Sequence, residues 1–525
     1  MIYRVLKLCA LLLVLIVPPA VSDSPSDGTD ARLEAICPNT DITMTPQRYL
    51  RALSLELRGT LPTLEEYEII DEGEVPAALI EGWLSSPEFV ERAVRRHRDL
   101  LWPNISNVRL TGNNAGLARQ GGTLLHWRRN PAIVYRGDRV PCLNQEVSYD
   151  DDGNIETFAQ PDGTEREGYV MISPYWAPES QIKVCAFDAQ DTLTTSNGTD
   201  CSRGGYNDPE CGCGPDMNYC RFGSSEQVIL SAMAQDLELR VADVIRNDRP
   251  YTDLFTSRSA YINGPLVHFY KHMSGVGRIN TRPIAVPVEL LPDLDFVDDD
   301  TWVSVQMGPE HAGILTSPLY LLRFQTNRAR ANRYYMSFLC QPFQPPAGGI
   351  PTTDGIPVLD LQVRDGCNYC HALLEPAAAH WGRWTETGIG YLNPTDYPAV
   401  REDCEDCAMG LAPCSADCRN NYVTSSLTPE EDPWLGWFRP YEFRQGAHYE
   451  NVELGPRLLA LSTAVDGRLP QCAATYNAQA MLGRPLVSED VPWLNEMALD
   501  FVSEGFSYRS LIEDIVTSTN FRKVR

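Results

Sequence analysis

Asp365-Gly366-Cys367-Asn368-Tyr369-Cys370-His371 carries two thiols and an imidazole in the spacing C-x-x-C-H, the one used for covalent haem attachment. Thiols three residues apart fall within one helical turn and can each add to a haem vinyl group. The imidazole that follows is then delivered to the iron as an axial ligand. With sixteen Cys and eight His in 525 residues, chance gives this pattern on the order of 0.01 times, which separates it from an accident of composition. The competing reading is a disulfide loop, or half of a zinc site, followed by an incidental His. On the haem reading, Cys367 and Cys370 hold the thioether links to one haem c and His371 is the proximal iron ligand. Its other ring nitrogen then needs an acceptor that fixes the ring's orientation.

The chain opens with basic Arg4 and Lys7, an apolar run from Leu8 to Val17, and Pro18-Pro19-Ala20-Val21-Ser22. Residues 1–22 are therefore predicted to be a secretory signal peptide, the apolar run being shorter than the ~20 residues a membrane span needs. Export to the periplasm or cell surface follows. Cys9 lies inside the leader, so 16 − 1 = 15 cysteines remain, and haem would use two, leaving 13. An odd remainder predicts at least one thiol that is free, ligated or intermolecular, with the others in disulfides. No later stretch is apolar enough to span a bilayer, so the expectation is a soluble or peripherally attached chain. The net charge of −26 argues against nucleic acid and anionic lipid as partners. It suits an unidentified basic redox partner protein, and equally a simple role in solubility.

The fold class expected is mainly α: several helical modules, a cytochrome c-like haem module, and a Cys-rich irregular or β insertion. Residues 23–44, rich in Ser, Pro and Asp, read as a tether. An N-terminal helical module follows over 45–103: Thr45 caps a helix with Pro46 at its first position, Thr63 and Glu66 form a capping box, and Ser86 before Pro87 starts a third helix. Residues 104–222 change to short strand-like pieces with Cys142, Cys185, Cys201, Cys211, Cys213 and Cys220, predicted to be a disulfide-braced insertion whose pairings the spacing does not reveal. Within it, Asp150-Asp151-Asp152-Gly153-Asn154 reads as a solvated hairpin turn, since it lacks a full EF-hand pattern. A central helical module covers 223–310, with one apolar stripe through Val228, Ile229, Met233, Leu237, Val241 and Val244, and ends in a solvated acidic loop, Asp293 to Asp300. The haem module is assigned to 311–450 and a C-terminal helical module to 451–525, with Thr428 as a helix start and Trp434 and Trp437 as packing anchors.

Several of these runs, taken together, resemble the planctomycete-type surface cytochrome c family, which also occurs in exported proteins of myxobacteria-like bacteria. The N-terminal likeness lies in Leu53-Ser54-Leu55-Glu56-Leu57-Arg58-Gly59-Thr60-Leu61-Pro62-Thr63 and in the helix from Ser86-Pro87 to His97 and Trp102. It continues in Asp248-Arg249-Pro250 with Asn263 to Tyr270, in the Arg-rich run Asn327 to Cys340 with the Pro-rich loop Gln344 to Gly349, and in Gly483-Arg484-Pro485 with Phe506 to Arg522. The family's haem motif continues as C-x-x-C-H-x-x-x-D-P, and Glu375-Pro376 stands here with Glu in place of Asp. A second departure is His311, where the family usually has Arg. The resemblance runs from about residue 53 to the end, interrupted by the Cys-rich interval, and implies a haem protein without transferable catalytic residues.

Other chemistry-bearing groups read more plainly. His97, on the packed side of an apolar helix, is expected to be structural. His268 and His272 lie four apart and can face one metal, but the acidic residue of a zinc hydrolase motif is absent, and a structural role is preferred. Cys404, Cys407, Cys414 and Cys418 have spacings that invite zinc or an iron–sulfur cluster, yet in an exported chain two local disulfides are preferred. For the sixth iron position the candidates are Met481, slightly preferred, with His448, His380 and Met409 behind it. The favoured reading is an exported single-haem c-type cytochrome in electron transfer. The alternatives are a five-coordinate, peroxidase-like haem oxidoreductase and a disulfide-braced surface protein without haem.

Overall fold

The computed structural model describes residues 42–524 except 71–72, 106–107, 130–135, 137–139, 204, 206–207, 276–281, 344–348, 350–359, 427–428 and 440–445. The predicted leader, most of the tether, the Pro-rich loop and Thr428 lie outside them. Of the described residues 47% are helical and 11% are in strands, so the fold is mainly α.

Local signals set the first helices. In α1 (Pro46–Leu57) the Thr45 hydroxyl accepts from the Arg48 amide, Pro46 occupies the first position, and Tyr49, Leu50, Leu53 and Leu57 are buried. Burying each of these side chains contributes about 1.5–3 kcal/mol. Gly59, at φ 76°, turns the chain out of the helix. The predicted capping box of α2 (Leu64–Glu68) is present, the Thr63 hydroxyl accepting from the Glu66 amide and the Glu66 carboxylate from the Thr63 amide. That carboxylate also takes two 2.8 Å hydrogen bonds from Arg58 and one from the Trp83 indole on α3 (Ala77–Leu84), so one residue binds three helices together. α4 (Pro87–Leu101) starts on the Ser86 hydroxyl, as its sequence predicts.

The insertion builds a four-stranded sheet in the order β2 (Leu117–Arg119), β3 (Leu125–Arg128), β7 (Ile182–Cys185), β6 (Tyr169–Ile172), with β3 and β7 parallel and the other pairs antiparallel. Strands of three or four residues bury too little surface to hold such a sheet alone. Three disulfides brace it: Cys142–Cys185, Cys201–Cys211 and Cys213–Cys220. At its centre Arg128 and Arg136 enclose Asp188, with contacts of 2.9 and 2.7 Å, and burial, which would raise the Asp188 pKa, is outweighed by the two guanidinium groups. The neighbouring Glu167, 3.3 Å from Arg136, is pushed up to about 7 by burial. The acidic turn forms as expected, the Asp150 amide donating to the Asn154 carbonyl; the Asp150 carboxylate is occupied by the Asp152 and Asn154 amides and the Asn154 side chain.

Helix returns as α5 (Ser225–Arg246), α6 (Asp253–Thr256) and α7 (Gly264–His268), with β8 (Ser259–Ile262) paired to β9 (Val303–Gln306). Gly264 is required: a Cβ there would lie 1.7 Å from the Asp295 carbonyl of the acidic loop. α8 (Pro318–Arg323), α9 (Asn327–Phe338) and α10 (Asn368–Ala379) follow, then α11 (Glu402–Ala408) and α12 (Ala416–Asn421), stapled by two further disulfides. Trp434 and Trp437 pack against each other and Tyr449, as predicted of anchors. α13 (Gly446–Val465), broken at Gly455, α14 (Arg468–Leu482), α15 (Val491–Ser503), α16 (Tyr508–Thr517) and α17 (Thr519–Arg522) close the chain. Cys340–Cys472 joins the end of α9 to α14 across 132 residues, a link worth about 2–5 kcal/mol.

The main hydrophobic core draws residues from Tyr49 to Phe521, so the helical segments at both ends share one interior. The ends also pair directly: β1 (Ile42–Thr43) runs antiparallel to β10 (Lys523–Val524), and the Tyr49 phenol donates to the Val516 carbonyl at 2.8 Å. His97 stands where three segments meet. Its Nδ1–H donates to the Ala93 carbonyl (2.7 Å), its Nε2 accepts from the Tyr251 phenol (3.0 Å), and Tyr251 stacks on Tyr508. The structural role expected of His97 is what the packing shows, and burial lowers its pKa to about 4.

A depressed native pKa means that between pH 6.5 and 4 the unfolded chain binds a proton that the native chain does not, so acidification destabilises. His97 is expected to contribute a loss of about 3 kcal/mol across that window. Denaturant titrations should show a pH slope shallower in His97→Gln than in the wild type by about 1.4 kcal/mol per pH unit; identical slopes would remove His97 from this role.

Candidate functional site

The helix that carries the motif is shaped by its own residues. Arg364 accepts from the Cys367 and Asn368 amides, and Gly366, at φ 75°, permits the bend that brings Cys367 to the N-cap of α10. Cys370 lies three residues on and His371 four, so Cys367 and His371 share a face with Cys370 beside it. All three side chains are partly exposed, and the neighbouring Val363 and Tyr369 are apolar yet 60% and 68% exposed.

Glu375, one further turn along the same face, orients His371. The His371 Nδ1–H donates to Glu375 Oε1 at 2.5 Å, and the same oxygen accepts from Arg328 Nε on α9 at 2.6 Å. Glu375 is 1% exposed, whereas Arg328 reaches to the surface. An ionised carboxylate can only accept here, so the proton of the neutral ring sits on Nδ1 and Nε2 is the nitrogen left to face a metal. The acceptor expected for this ring is thus Glu375, which in sequence stood out only as a Glu in an Asp position. Its i, i+4 spacing from His371 was the available signal; nothing local pointed to Arg328.

Arg330, two residues along α9, is fully buried and fixes that helix by donating to the carbonyls of Leu321, Phe324, Trp384, Thr385 and Gly388 and to the Asn327 side chain. Burial lowers its pKa to about 10, which still leaves it charged at neutral pH. A cavity of about 710 Å³ opens beside this region, lined by Arg328, Glu375, Trp384, Glu386, Asp417 and Arg439 among others. It borders the back of the Glu375 carboxylate; Cys367, Cys370 and His371 do not line it.

The sixth-ligand candidates separate. Met481 is 5% exposed in the main core on α14, and α9 and α13 are helices that pack on both α14 and α10. His380 caps the C-terminus of α10, nine residues from His371 and hence on the opposite face of the helix, with Nδ1–H donating to the Gly455 carbonyl at 2.8 Å and its pKa lowered to about 4 by burial. It is not positioned to share an iron with His371. Met409 is exposed at the end of α11, and the His448 side chain lies outside the described residues. His311 is buried, with Thr316 and the Ala285 carbonyl as partners.

Among the described residues twelve cysteines form six disulfides, and Cys367 and Cys370 stand outside those pairs. The four cysteines that invited a zinc reading make two local disulfides, Cys404–Cys418 and Cys407–Cys414, as preferred. The groupings of Cys142 and Cys185 with Glu167, and of Cys404 and Cys418 with Asp403, therefore offer no thiolate to a metal. Subtracting 12 and 2 from 16 leaves Cys9 and Cys37, both outside the described residues. Among the described residues no helix is long and apolar enough to cross a membrane. No protein family model, curated protein or solved structure matches the chain.

In the haem-free chain, ¹⁵N NMR is expected to find His371 in the Nδ1–H form and to find that population redistributed in Glu375→Ala. An unchanged tautomer in the variant would show that the carboxylate does not orient the ring.

Proposed function

We propose that the chain is an exported, single-haem c-type cytochrome that transfers electrons, of the planctomycete-type surface cytochrome family that its motifs resemble. The observation that carries this reading is the arrangement on α10: two cysteines kept out of the six disulfides, and beside them an imidazole whose Nδ1 is held by a buried carboxylate. Cys367 and Cys370 would hold the porphyrin and His371 Nε2 the iron. A bound haem supplies a one-electron couple. Glu375 draws the Nδ1 proton towards itself, makes His371 a stronger donor and so favours the oxidised form, while Arg328 offsets the charge of the buried carboxylate. The chain's acidity, −26 overall, suits a basic partner protein.

Two other readings have an observation behind each. The cavity beside Glu375 and Arg328 would suit a haem oxidoreductase that binds a small substrate. The six disulfides would suit a braced surface protein with no haem.

Protein produced with a working haem-ligation system is expected to give a c-type pyridine haemochrome at one haem per chain, abolished in Cys367→Ala/Cys370→Ala. A colourless wild-type product leaves only the haem-free reading, and rapid binding of cyanide or peroxide at the iron would favour the oxidoreductase. Glu375→Gln is expected to raise the midpoint potential, by about 60 mV for each tenfold loss of preference for the oxidised form. Spectroelectrochemical titration reads that shift, and a lowered potential would contradict the role given to Glu375.

A further inference from the structure

We infer that His268 and His272 form a binding site for a divalent transition metal, separate from the motif on α10. Both imidazoles lie at the junction of the central helices with the Cys-rich insertion, where α7 runs into a single π turn, Phe269–Met273. Turns of this kind interrupt helices most often where a side chain must be re-aimed for a function. The ring centroids are 5.3 Å apart with planes at 46°. Two imidazoles bound to one tetrahedral ion through nitrogens at ~2.0–2.1 Å have centroids about 5 Å apart, a separation that this pair matches.

The hydrogen bonding sets this pair apart from the other described histidines. His97, His126, His311, His371 and His380 each engage at least one ring nitrogen. Neither His268 nor His272 has a hydrogen-bond partner among the described residues, although His268 is only 5% exposed and its Nε2 is fully enclosed. A buried neutral imidazole without partners is an expense that native proteins rarely leave standing, and a bound cation removes it. Burial lowers the pKa of both rings, so their lone pairs are available at neutral pH.

Aromatic rings hold His268 in place. Tyr175 stacks on His268 at 3.8 Å and fixes its plane, with Phe296 against its edge. Lys271 acts electrostatically on His272 against positive charge, and Asp216 acts in the opposite sense with the smaller effect. Asp216 and Met217 both hold left-handed backbone conformations, φ 50° and 65°, and the Tyr175 amide donates to the Asp216 carbonyl. Among the described residues no third His, Cys or carboxylate ligand atom completes a group within 4.8 Å, so the two imidazole nitrogens are what the described residues supply. Imidazole ligands suit Cu²⁺ or Zn²⁺ and disfavour Ca²⁺ and Mg²⁺, which take oxygen ligands.

The test uses the full chain, free of any affinity tag, dialysed against Zn²⁺ alone and, in a second arm, loaded with Cu²⁺ for electron paramagnetic resonance. The wild type is expected to retain one equivalent of Zn²⁺ and to show a Cu²⁺ signal split by two equivalent nitrogens. His268→Gln/His272→Gln should lose both. Because His268 is buried, His272→Ala, at a less enclosed position, provides the second variant: it should bind Zn²⁺ at least tenfold more weakly and lose one nitrogen from the Cu²⁺ spectrum. Absence of binding by the wild type, or the same stoichiometry and affinity in His272→Ala, overturns the assignment, and neither result bears on haem attachment at Cys367 and Cys370.

Discussion

A carboxylate placed where water does not reach must be compensated by its neighbours, and the helix that bears Cys367, Cys370 and His371 is set by how Glu375 solves that problem. One oxygen accepts from an imidazole on its own helix and from a guanidinium on the helix alongside. The pair of contacts fixes the rotation of α10 about its axis and the tautomer of His371 at once. Without such a partner the imidazole one turn away would be free to choose either nitrogen, and its outward lone pair would not be guaranteed.

Arg330 extends the same logic to the backbone. Its guanidinium gathers carbonyls from the end of α8 and from the loop that follows α10, so the helix presenting Arg328 is tied to the segment on the far side of the motif helix. Charged groups bound in this way contribute little net stability, because desolvation consumes most of the attraction. Their effect is to define one arrangement among many of similar packing energy. The stabilising work falls to the core that runs from Tyr49 to Phe521 and to the disulfides, of which Cys340–Cys472 closes the longest loop.

What was legible in the sequence was short-range. Thr45 with Pro46, Thr63 with Glu66, and Ser86 with Pro87 announce helix starts because capping satisfies amides within three residues of the cap. The stripe from Val228 to Val244 announces a helix because its period is local too, and the Asp150 to Asn154 turn is held by one side chain. The C-x-x-C-H spacing from Cys367 to His371 stood out for the same reason. Long-range partners were not legible. The strand order of the insertion escaped because strands of three or four residues are too short for alternation to emerge, and the disulfide pairings because six cysteines allow fifteen connectivities. Arg328 lies 47 residues from Glu375, with nothing in either neighbourhood to announce the other. The missing hydrogen bonds of His268 and His272 are likewise visible only once the fold has decided what surrounds them.

The antiparallel pairing of Ile42 with Val524 brings the two ends of the described chain out of the body at one edge. Tension applied between those ends would peel this short ribbon apart one hydrogen bond at a time, as a zip opens, before any load reached the helices. Shear across several bonds at once resists far more strongly. A tug between those ends is therefore met first by two residue pairs at that edge, far along the chain from the helix with Cys367, Cys370 and His371.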